Sequence, residues 1–467
     1  MLNARVEAPS LTLLADDLTG LCDSALAWHQ AGLRQQHLWV SPQPLLTQPT
    51  TLASAVDVLG VCTASRLLPP WEAYNQLLKL YPKLLAHAGQ SQHGYKKIDS
   101  TLRGPLLAEL AALQQASQAD LMVVAPAYPS QQRQTIGGYQ LLRGLPIELT
   151  EVGRDPQNPV RKSHLPTLLQ QQAHSLATAT QTTLLGIGHI SLTTVMQGAG
   201  PLVQALKQQL QLGNNVVVVD AATATDLDQL ALALSKMERV AKLWACGSGG
   251  LAHALAATDE RHRGQGLIYP QVSEPLPEGL PCVVLSGSTT PLNWQQLQHL
   301  QQHCQRPLLP LVLSLQQWLG QEPLDPLIAQ LEAMLEATMA NQQPPPVVLI
   351  STVDSPETLL ASLADAMADP LFEQPAPHFQ VLQPLLSRLL NAWPQAMWVL
   401  CGGETSAMFC GEAGITSLCM VGALAPAIPI LQAPDKPLWV VTKSGNLGRY
   451  DTLTHVVATL TNPIVRP

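Results

Sequence analysis

Residues 94–110 read GYKKIDSTLRGPLLAEL. The segment begins in the manner of a short strand and ends in the manner of a helix. Six of the eight positions from 96 to 103 are polar: Lys96, Lys97, Asp99, Ser100, Thr101 and Arg103. Gly104 and Pro105 suit the N-cap and first position of a helix, with Leu106, Leu107, Leu110 and Leu113 on its buried face. Capping accounts for the glycine and the proline. It does not account for Lys97, Asp99 and Arg103 together, because such side chains are seldom buried without partners. A strand, a chemically loaded turn and a helix make the repeating unit of an α/β sheet that binds its ligand at the carboxyl edge.

The same pattern recurs along the chain. Short apolar runs appear at 11–15 (LTLLA), 56–62 (VDVLGVC), 121–127 (LMVVAPA), 216–220 (VVVVD) and 243–248 (LWACGS). A second series follows at 282–288, 347–352, 397–403 and 438–445. Continuous rather than alternating apolarity belongs to strands covered on both faces, as in parallel sheets flanked by helices. Amphipathic stretches lie between the runs; in GLCDSALAWHQAG, Leu21, Ala25 and Trp28 share one helical face and Gly32 is the stop signal. The stretch 258–281 has charge, Gly and Pro without an apolar period and reads as a linker. The reading is therefore α/β with two domains, 1–260 and 275–467, each a mainly parallel sheet flanked by helices, with the active site in the cleft between them. The Gln-rich tracts at 168–172 and 295–302 read as helix surfaces, and QQPPP (342–346) as a loop.

Composition narrows the function. Of 467 residues, 12% are charged and the formal net charge is −8, with no basic stripe of the kind that displaces counterions from nucleic acid. No apolar run approaches the ~20 residues of a membrane span, and the N-terminus lacks a basic region followed by a long apolar stretch. The eight cysteines form no C-x-x-C pair, and there is no HExxH or zinc-spaced histidine cluster. A cytoplasmic protein without nucleic-acid or membrane partners, and without protein-held metal, is expected; a homo-oligomer is compatible with the sequence.

In open parallel sheets ligands bind beyond the carboxyl ends of strands, so the residues following each apolar run carry the argument. In the first half these are Asp16-Asp17-Leu18-Thr19-Gly20, Thr63-Ala64-Ser65-Arg66, Asp99 to Gly104, and Pro126-Ala127-Tyr128-Pro129. In the second half they are Ser286 to Thr290, Gly402-Gly403-Glu404-Thr405 and Lys443-Ser444-Gly445-Asn446. Cations clamp a carboxylate, while Asp and hydroxyl groups bond the hydroxyls of a sugar-like chain. Glycine-rich turns at helix starts bring backbone N–H groups to phosphates. A polyhydroxy acid in the front half and a nucleotide in the back half describe a phosphotransferase. The turn GSGGLA (247–252) also matches the G-x-G-x-x-A of dinucleotide folds, without the acidic residue that should end the next strand. Neither GGETS nor TKSGN fits the P-loop pattern.

Taken in order, ADDLTG (15–20), KKIDSTLRG (96–104), the stretch 123–169, GSGGLA (247–252), LSGSTTP (285–291), GGETS (402–406) and KSGNLG (443–448) resemble the four-carbon acid sugar kinase family. The resemblance implies a sugar-acid domain followed by an ATP domain, and phosphorylation of the terminal hydroxyl of threonate, erythronate or a 3-oxo-tetronate. It places the sugar-acid pocket on Asp16, Asp17, Arg66, Lys97, Asp99, Ser100, Thr101 and Arg103. It places nucleotide contacts on Ser288 or Thr290, on Gly402, Gly403, Glu404 and Thr405, and on Gly445. Position at the strand ends adds Ser286, Lys443 and Asn446. Two departures stand out: VCTASR has no acidic residue before its Thr-x-Ser-Arg, and GSTTP replaces a Ser-Cys-Ser-like turn.

The mechanism expected from these residues has Arg103 and Arg66, with Lys97 as a third cation, holding the substrate carboxylate. Asp99 or Asp17 deprotonates the distal hydroxyl, and Mg²⁺ offsets the charge of the ATP phosphates. Two readings of other classes stand beside it: an NAD-dependent sugar-acid dehydrogenase built on GSGGLA, and a non-catalytic sugar-acid-binding protein.

Overall fold

The computed structural model describes residues 9–47, 56–88, 93–155, 158–180, 185–258, 271–273, 275–288, 290–318, 320–341, 345–352 and 381–461. Residues 259–270 and 274 of the expected linker, Thr289 of the serine-rich turn and 342–344 of the proline loop lie outside them. The chain divides into two compact units, Met1–Gly266 and Leu267–Pro467. Among the described residues no helix is long and apolar enough to cross a membrane.

The strands of the first unit are β1 Leu11–Ala15, β2 Gln36–Trp39, β3 Val58–Cys62, β4 His93–Lys97, β5 Leu121–Ala125, β6 Arg133–Ile136, β7 Tyr139–Leu142, β8 Leu145–Pro146, β9 Gly186–Ile190, β10 Asn214–Val219 and β11 Leu243–Gly247. Its main sheet runs β2-β3-β1-β4-β11-β5-β10-β9, and every pairing along it is parallel. The β1, β3 and β5 strands are buried at every position, which is why their sequences are apolar without alternation. β6, β7 and β8 form a small antiparallel sheet.

The second unit contains β12 Gln271–Val272, β13 Cys282–Ser286, β14 Leu308–Leu313, β15 Val347–Thr352, β16 Ala396–Cys401, β17 Ser417–Ala425, β18 Ile428–Gln432 and β19 Leu438–Lys443. Here β14-β15-β13-β16-β19 pair in parallel, and β18, β17 and β12 extend the sheet antiparallel. Both sheets are mainly parallel and helix-flanked.

Strand order explains why distant segments converge. In the first unit β1 lies between β3 and β4, so the turns after β3, β1 and β4 are neighbours. In the second, β13 is flanked by β15 and β16, and the turns after β13, β16 and β19 are neighbours. Each unit thus has a topological switch point, the place where open α/β sheets leave a crevice.

Local details differ from the sequence reading in three places. The helix of the opening segment spans Leu106–Ser117 with Pro105 at the N-cap, one residue later than expected; its missing side-chain cap is supplied by Gln172, whose Oε1 accepts from Leu107 N at 2.9 Å. The Gln-rich tracts are therefore not mere surface: Gln296 is buried and donates to Leu447 O and Arg449 O. The helix Leu18–Gln30 is buried on nearly every side rather than one, so its polar residues Asp23, Ser24 and His29 are inside the protein. Gly32, expected to end it, follows the Ala31 C-cap at φ +97°.

Candidate active site

The site of the first unit is built on the carboxyl edge of β3, β1 and β4. β4 sends successive side chains to opposite faces of the sheet. Lys96 turns toward the Leu106–Ser117 helix and pairs with Glu109 at 2.9 Å, both side chains almost wholly buried. Thr63 Oγ1 and Ser65 Oγ donate to the same Glu109 oxygen at 3.1 and 2.7 Å, and Thr63 Oγ1 also lies 2.9 Å from Ala15 O. This network ties together the ends of β1, β3 and β4. The Thr and Ser of TASR are thus explained as scaffold that presents Arg66.

Lys97 turns the other way, toward the first turn of the Leu18–Gln30 helix. It is buried, and its Nζ donates to Ile98 O at 2.9 Å; among the described residues no carboxylate lies within 4 Å of it. A Cβ on Gly20 would overlap Asp17 Oδ1 and stand 2.8 Å from Lys97 Nζ. The glycine of ADDLTG is therefore required by the two charged groups that crowd it.

Asp17 is both the N-cap of this helix and a member of the charged cluster. Its Oδ1 accepts from Gly20 N at 3.0 Å and its Oδ2 from Thr19 Oγ1 at 2.7 Å. Arg66 bonds both oxygens at 2.9 Å and reaches Asp16 Oδ2 with its Nε at 2.8 Å. Asp16 is almost fully buried, and among the described residues its Oδ1 has no hydrogen-bond partner. Three donors converge on Asp99 Oδ2: Thr101 Oγ1 at 2.6 Å, Arg103 Nε at 2.7 Å and Arg103 N at 3.3 Å. Arg103 also reaches Asp155 at 3.4 Å. Ser100 sits in the same turn, its carbonyl held by Gln140 Nε2 at 2.7 Å. Two non-glycine residues of these turns, Ala64 and Leu102, adopt positive φ of 51° and 65°, strain of the kind that clusters at functional sites.

These partners set the charges. Burial pushes the Asp17 carboxyl up, but Arg66, Lys97 and Thr19 outweigh it and hold it below its ordinary range. Burial acts likewise on Asp99, and Arg103 and Arg66 hold that carboxyl well below the usual range. Asp16 and Asp17 in turn hold the Arg66 guanidinium firmly protonated against burial. The expected clamp is therefore less simple than two open arginines: both already have carboxylate partners, and each retains further N–H donors for a ligand.

Sequence reasoning missed Asp23, Arg133, Asp155 and Asn158. Asp23 lies inside the Leu18–Gln30 helix, its Oδ1 3.4 Å from the Tyr128 hydroxyl. The clue was its position three residues past Gly20, on the face of the Asp16–Gly20 turn. Arg133 is buried on β6 and faces Asp99, Tyr128 and Arg103. Asn158 fixes the Arg66 carbonyl at 2.8 Å. The GSGGLA turn has a packing explanation: Ser248 caps the Gly249–Ala257 helix, and a Cβ on Gly249 would overlap Asp23 Oδ2 and lie 2.8 Å from Tyr128 Cε1. Protein side chains occupy the ground that a dinucleotide's pyrophosphate would need.

In the second unit the turns after β13, β16 and β19 interlock. Ser288 Oγ lies 3.2 Å from Thr290 Oγ1, and Asn293 Nδ2 donates to Ser286 Oγ at 2.8 Å and to Ser288 O at 3.1 Å. A Cβ on Gly445 would overlap Ser288 Oγ and stand 2.9 Å from Thr290 Oγ1. Gly402 has φ +115°, a conformation glycine adopts freely. It caps the helix Gly403–Glu412, which starts with exposed Glu404 and buried Thr405. Gly402 N donates to Lys443 O at 2.9 Å. Lys443 is buried, its Nζ donates to Ser444 O at 3.0 Å, and burial lowers its pKa. Asn446 follows Gly445 in the same turn. The sequence-derived residues thus fall into two clusters, one at each sheet's carboxyl edge.

Comparison with known proteins fits this division. Residues 11–255 match the model of a sugar-binding N-terminal domain and residues 283–453 that of a nucleotide-binding C-terminal domain. The chain is 30% identical to the D-threonate kinase of Cupriavidus necator, over 97% of this chain and 98% of that protein. It is 32% identical to the D-erythronate kinase of Heliobacterium modesticaldum, over 62% of this chain and 59% of that protein. It is 26% identical to the 3-oxo-tetronate kinase of Actinobacillus succinogenes, over 94% and 97%. A Salmonella typhimurium structure described as a putative tRNA synthase shares the fold at TM-score 0.72 and 22% identity, covering 96% of this chain and 98% of its own. On these matches, spread over both units, the chain belongs to the four-carbon acid sugar kinase family.

Proposed function

We propose that the protein transfers the γ-phosphoryl group of ATP to the terminal hydroxyl of a four-carbon acid sugar such as threonate, erythronate or 3-oxo-tetronate, giving the 4-phosphate and ADP. The observation that carries this reading is the opposite chemistry of the two switch-point clusters. The first holds carboxylates, hydroxyls and three cations at neighbouring strand ends. The second holds glycines, hydroxyls and a buried lysine with no carboxylate partner within 4 Å among the described residues. Relatives named D-threonate, D-erythronate and 3-oxo-tetronate kinases support the substrate class.

In this reading Lys97, Arg66 and Arg103 hold the substrate carboxylate, and Asp16, Asp17, Asp99, Ser100 and Thr101 receive or orient its hydroxyls. The buried Asp16 Oδ1, without a partner among the described residues, suits a hydroxyl donor from the ligand. Backbone N–H groups of Gly403 and Gly445, in turns that Gly402 helps to shape, cradle the triphosphate at a helix start together with Ser286, Ser288, Thr290, Thr405 and Asn446. Lys443 neutralises the group in flight. Mg²⁺ held on phosphates asks the protein for only one or two carboxylates. Glu404, the acidic residue of these turns, is exposed and fits that need; the ion would offset phosphate charge. Phosphoryl transfer depends chiefly on such positioning and charge neutralisation.

Coupled ADP release, screened over the isomers of threonate, erythronate and 3-oxo-tetronate, tests the proposal. Turnover with one of these acids is expected; ADP release indifferent to every acid would refute it.

A further inference from the structure

The two aspartates read from the sequence as base candidates are poorly suited to that task. Asp99 Oδ2 already accepts three hydrogen bonds, and both Asp17 oxygens are taken by Arg66, Thr19 and Gly20. A base must accept a proton readily near the working pH, and each of these carboxylates is held as the anion by its cations.

Asp23 is different. Its carboxylate lies beyond the carboxyl end of β11, packed against Gly249, and is 6% exposed. Among the described residues it has no ion-pair partner within 4 Å, and its Oδ1 meets the Tyr128 hydroxyl at 3.4 Å, a long hydrogen bond. The groups that face it are Lys97 and Tyr95 from β4, Tyr128 after β5, Arg133 from β6 and Asp17 from its own helix cap. From the Gly249–Ala257 helix, His253 sits 6.5 Å from the Tyr128 ring and is kept neutral to about pH 4 by burial. A carboxylate inside an apolar helix is costly without a partner. An alanine would fill this place at no such cost, and two motifs, GSGG and PAY, supply the residues that make room for the acid.

Resting on the kinase reading above, we infer that Asp23, and neither Asp99 nor Asp17, accepts the proton of the hydroxyl that attacks phosphorus. The hydroxyl oxygen bonds to the γ-phosphorus as the bond from that phosphorus to the β–γ bridging oxygen breaks. The electron pair leaves on ADP, the hydroxyl proton passes to Asp23, and Asp23 returns it to water. Burial raises the Asp23 carboxyl to about 6, with Lys97 and Tyr128 working against the rise. That places it where a base ionised at neutral pH is still a competent proton acceptor.

The test is the pH profile of kcat/KM for ADP release with ATP and D-threonate, D-erythronate or 3-oxo-tetronate. The wild-type protein is expected to lose activity on acidification through about pH 6. Asp23→Asn is expected to lower kcat about 10²–10⁴-fold, with acid binding by calorimetry retained and the acid limb abolished. Tyr128→Phe, which removes the hydroxyl that favours the ionised form, moves the limb to higher pH. Wild-type turnover with Asp23→Asn of unchanged kcat and unchanged limb, or a limb that Tyr128→Phe leaves in place, overturns the inference alone. Absence of wild-type turnover with every acid overturns it together with the kinase reading.

Discussion

Lys96 and Lys97 are consecutive residues of one buried strand, yet they meet opposite surroundings. Lys96 is neutralised by Glu109 at 2.9 Å, whereas Lys97 has a main-chain carbonyl at 2.9 Å for its partner. The first lysine holds the scaffold together, and in the proposed reading the second is offered to a ligand. The two are separable by substitution. Lys96→Met leaves Glu109 buried and uncompensated and is expected to cost about 3–5 kcal/mol of stability in urea unfolding. Adding Glu109→Leu restores most of that loss. Lys97→Met breaks no ion pair within 4 Å among the described residues, though it withdraws a charge that favours the ionised Asp17; the fold survives, while kcat/KM for the sugar acid falls about 10–100-fold with the loss of a charge-assisted bond. Unchanged kcat/KM in Lys97→Met excludes this lysine from the anion site.

Gly20 and Gly445 serve different ligands in this account, so their alanine variants should split the kinetics. Gly20→Ala forces a methyl group against Asp17 and Lys97 and is expected to raise KM for the acid with KM for ATP unmoved. Gly445→Ala drives a methyl group into Ser288 and Thr290 and is expected to raise KM for ATP alone. Steady-state kinetics with each substrate varied in turn checks the split, and a crossed pattern contradicts the assignment.

Lys443 is buried with its ammonium bonded to a main-chain oxygen. Replacement by Met relieves the burial of a charge, so thermal stability holds or rises, while kcat falls about 10²–10³-fold, the loss typical of removing a donor aimed at developing negative charge. Retained kcat in Lys443→Met would leave the buried ammonium without a role in transfer.

Stability should follow pH in a way that marks Asp23. Its carboxyl is raised from 3.8 to about 6 in the folded protein. Well below the unfolded value of 3.8 both states are protonated and no penalty exists. As pH rises toward 6 the unfolded chain loses its proton first, so this residue withdraws stability, by up to about 3 kcal/mol above pH 6. Asp99 acts in the opposite sense, contributing above its unfolded value and losing that contribution on acidification. Asp23→Asn should therefore melt higher than wild type at pH 7.5 and nearly alike at pH 4. Equal melting temperatures at pH 7.5 would argue against a buried, uncompensated carboxylate.

Much of this was legible in the residues. Continuous apolar runs mark doubly covered strands, and the polar turns that follow them lie where such sheets bind ligands. What one sequence could not provide was adjacency. That the turns after β3, β1 and β4 meet depends on strand order, which sequence periodicity does not encode. The antiparallel strands β17 and β18 are as apolar as their parallel neighbours, so the apolar pattern does not mark their direction. Asp23 was overlooked because its helix reads as amphipathic, whereas the fold buries nearly every side of it. The glycines of GSGGLA suggested phosphate binding, but the carboxylate of Asp23 and the ring of Tyr128 need the same absence of side chains.

The most direct measurement is a crystal structure of the protein with a non-hydrolysable ATP analogue. The account predicts the triphosphate against Ser288, Gly402, Thr405, Lys443 and Gly445. A triphosphate bound instead at the Ser248–Gly250 turn, or among Asp16, Arg66 and Arg103, would contradict it.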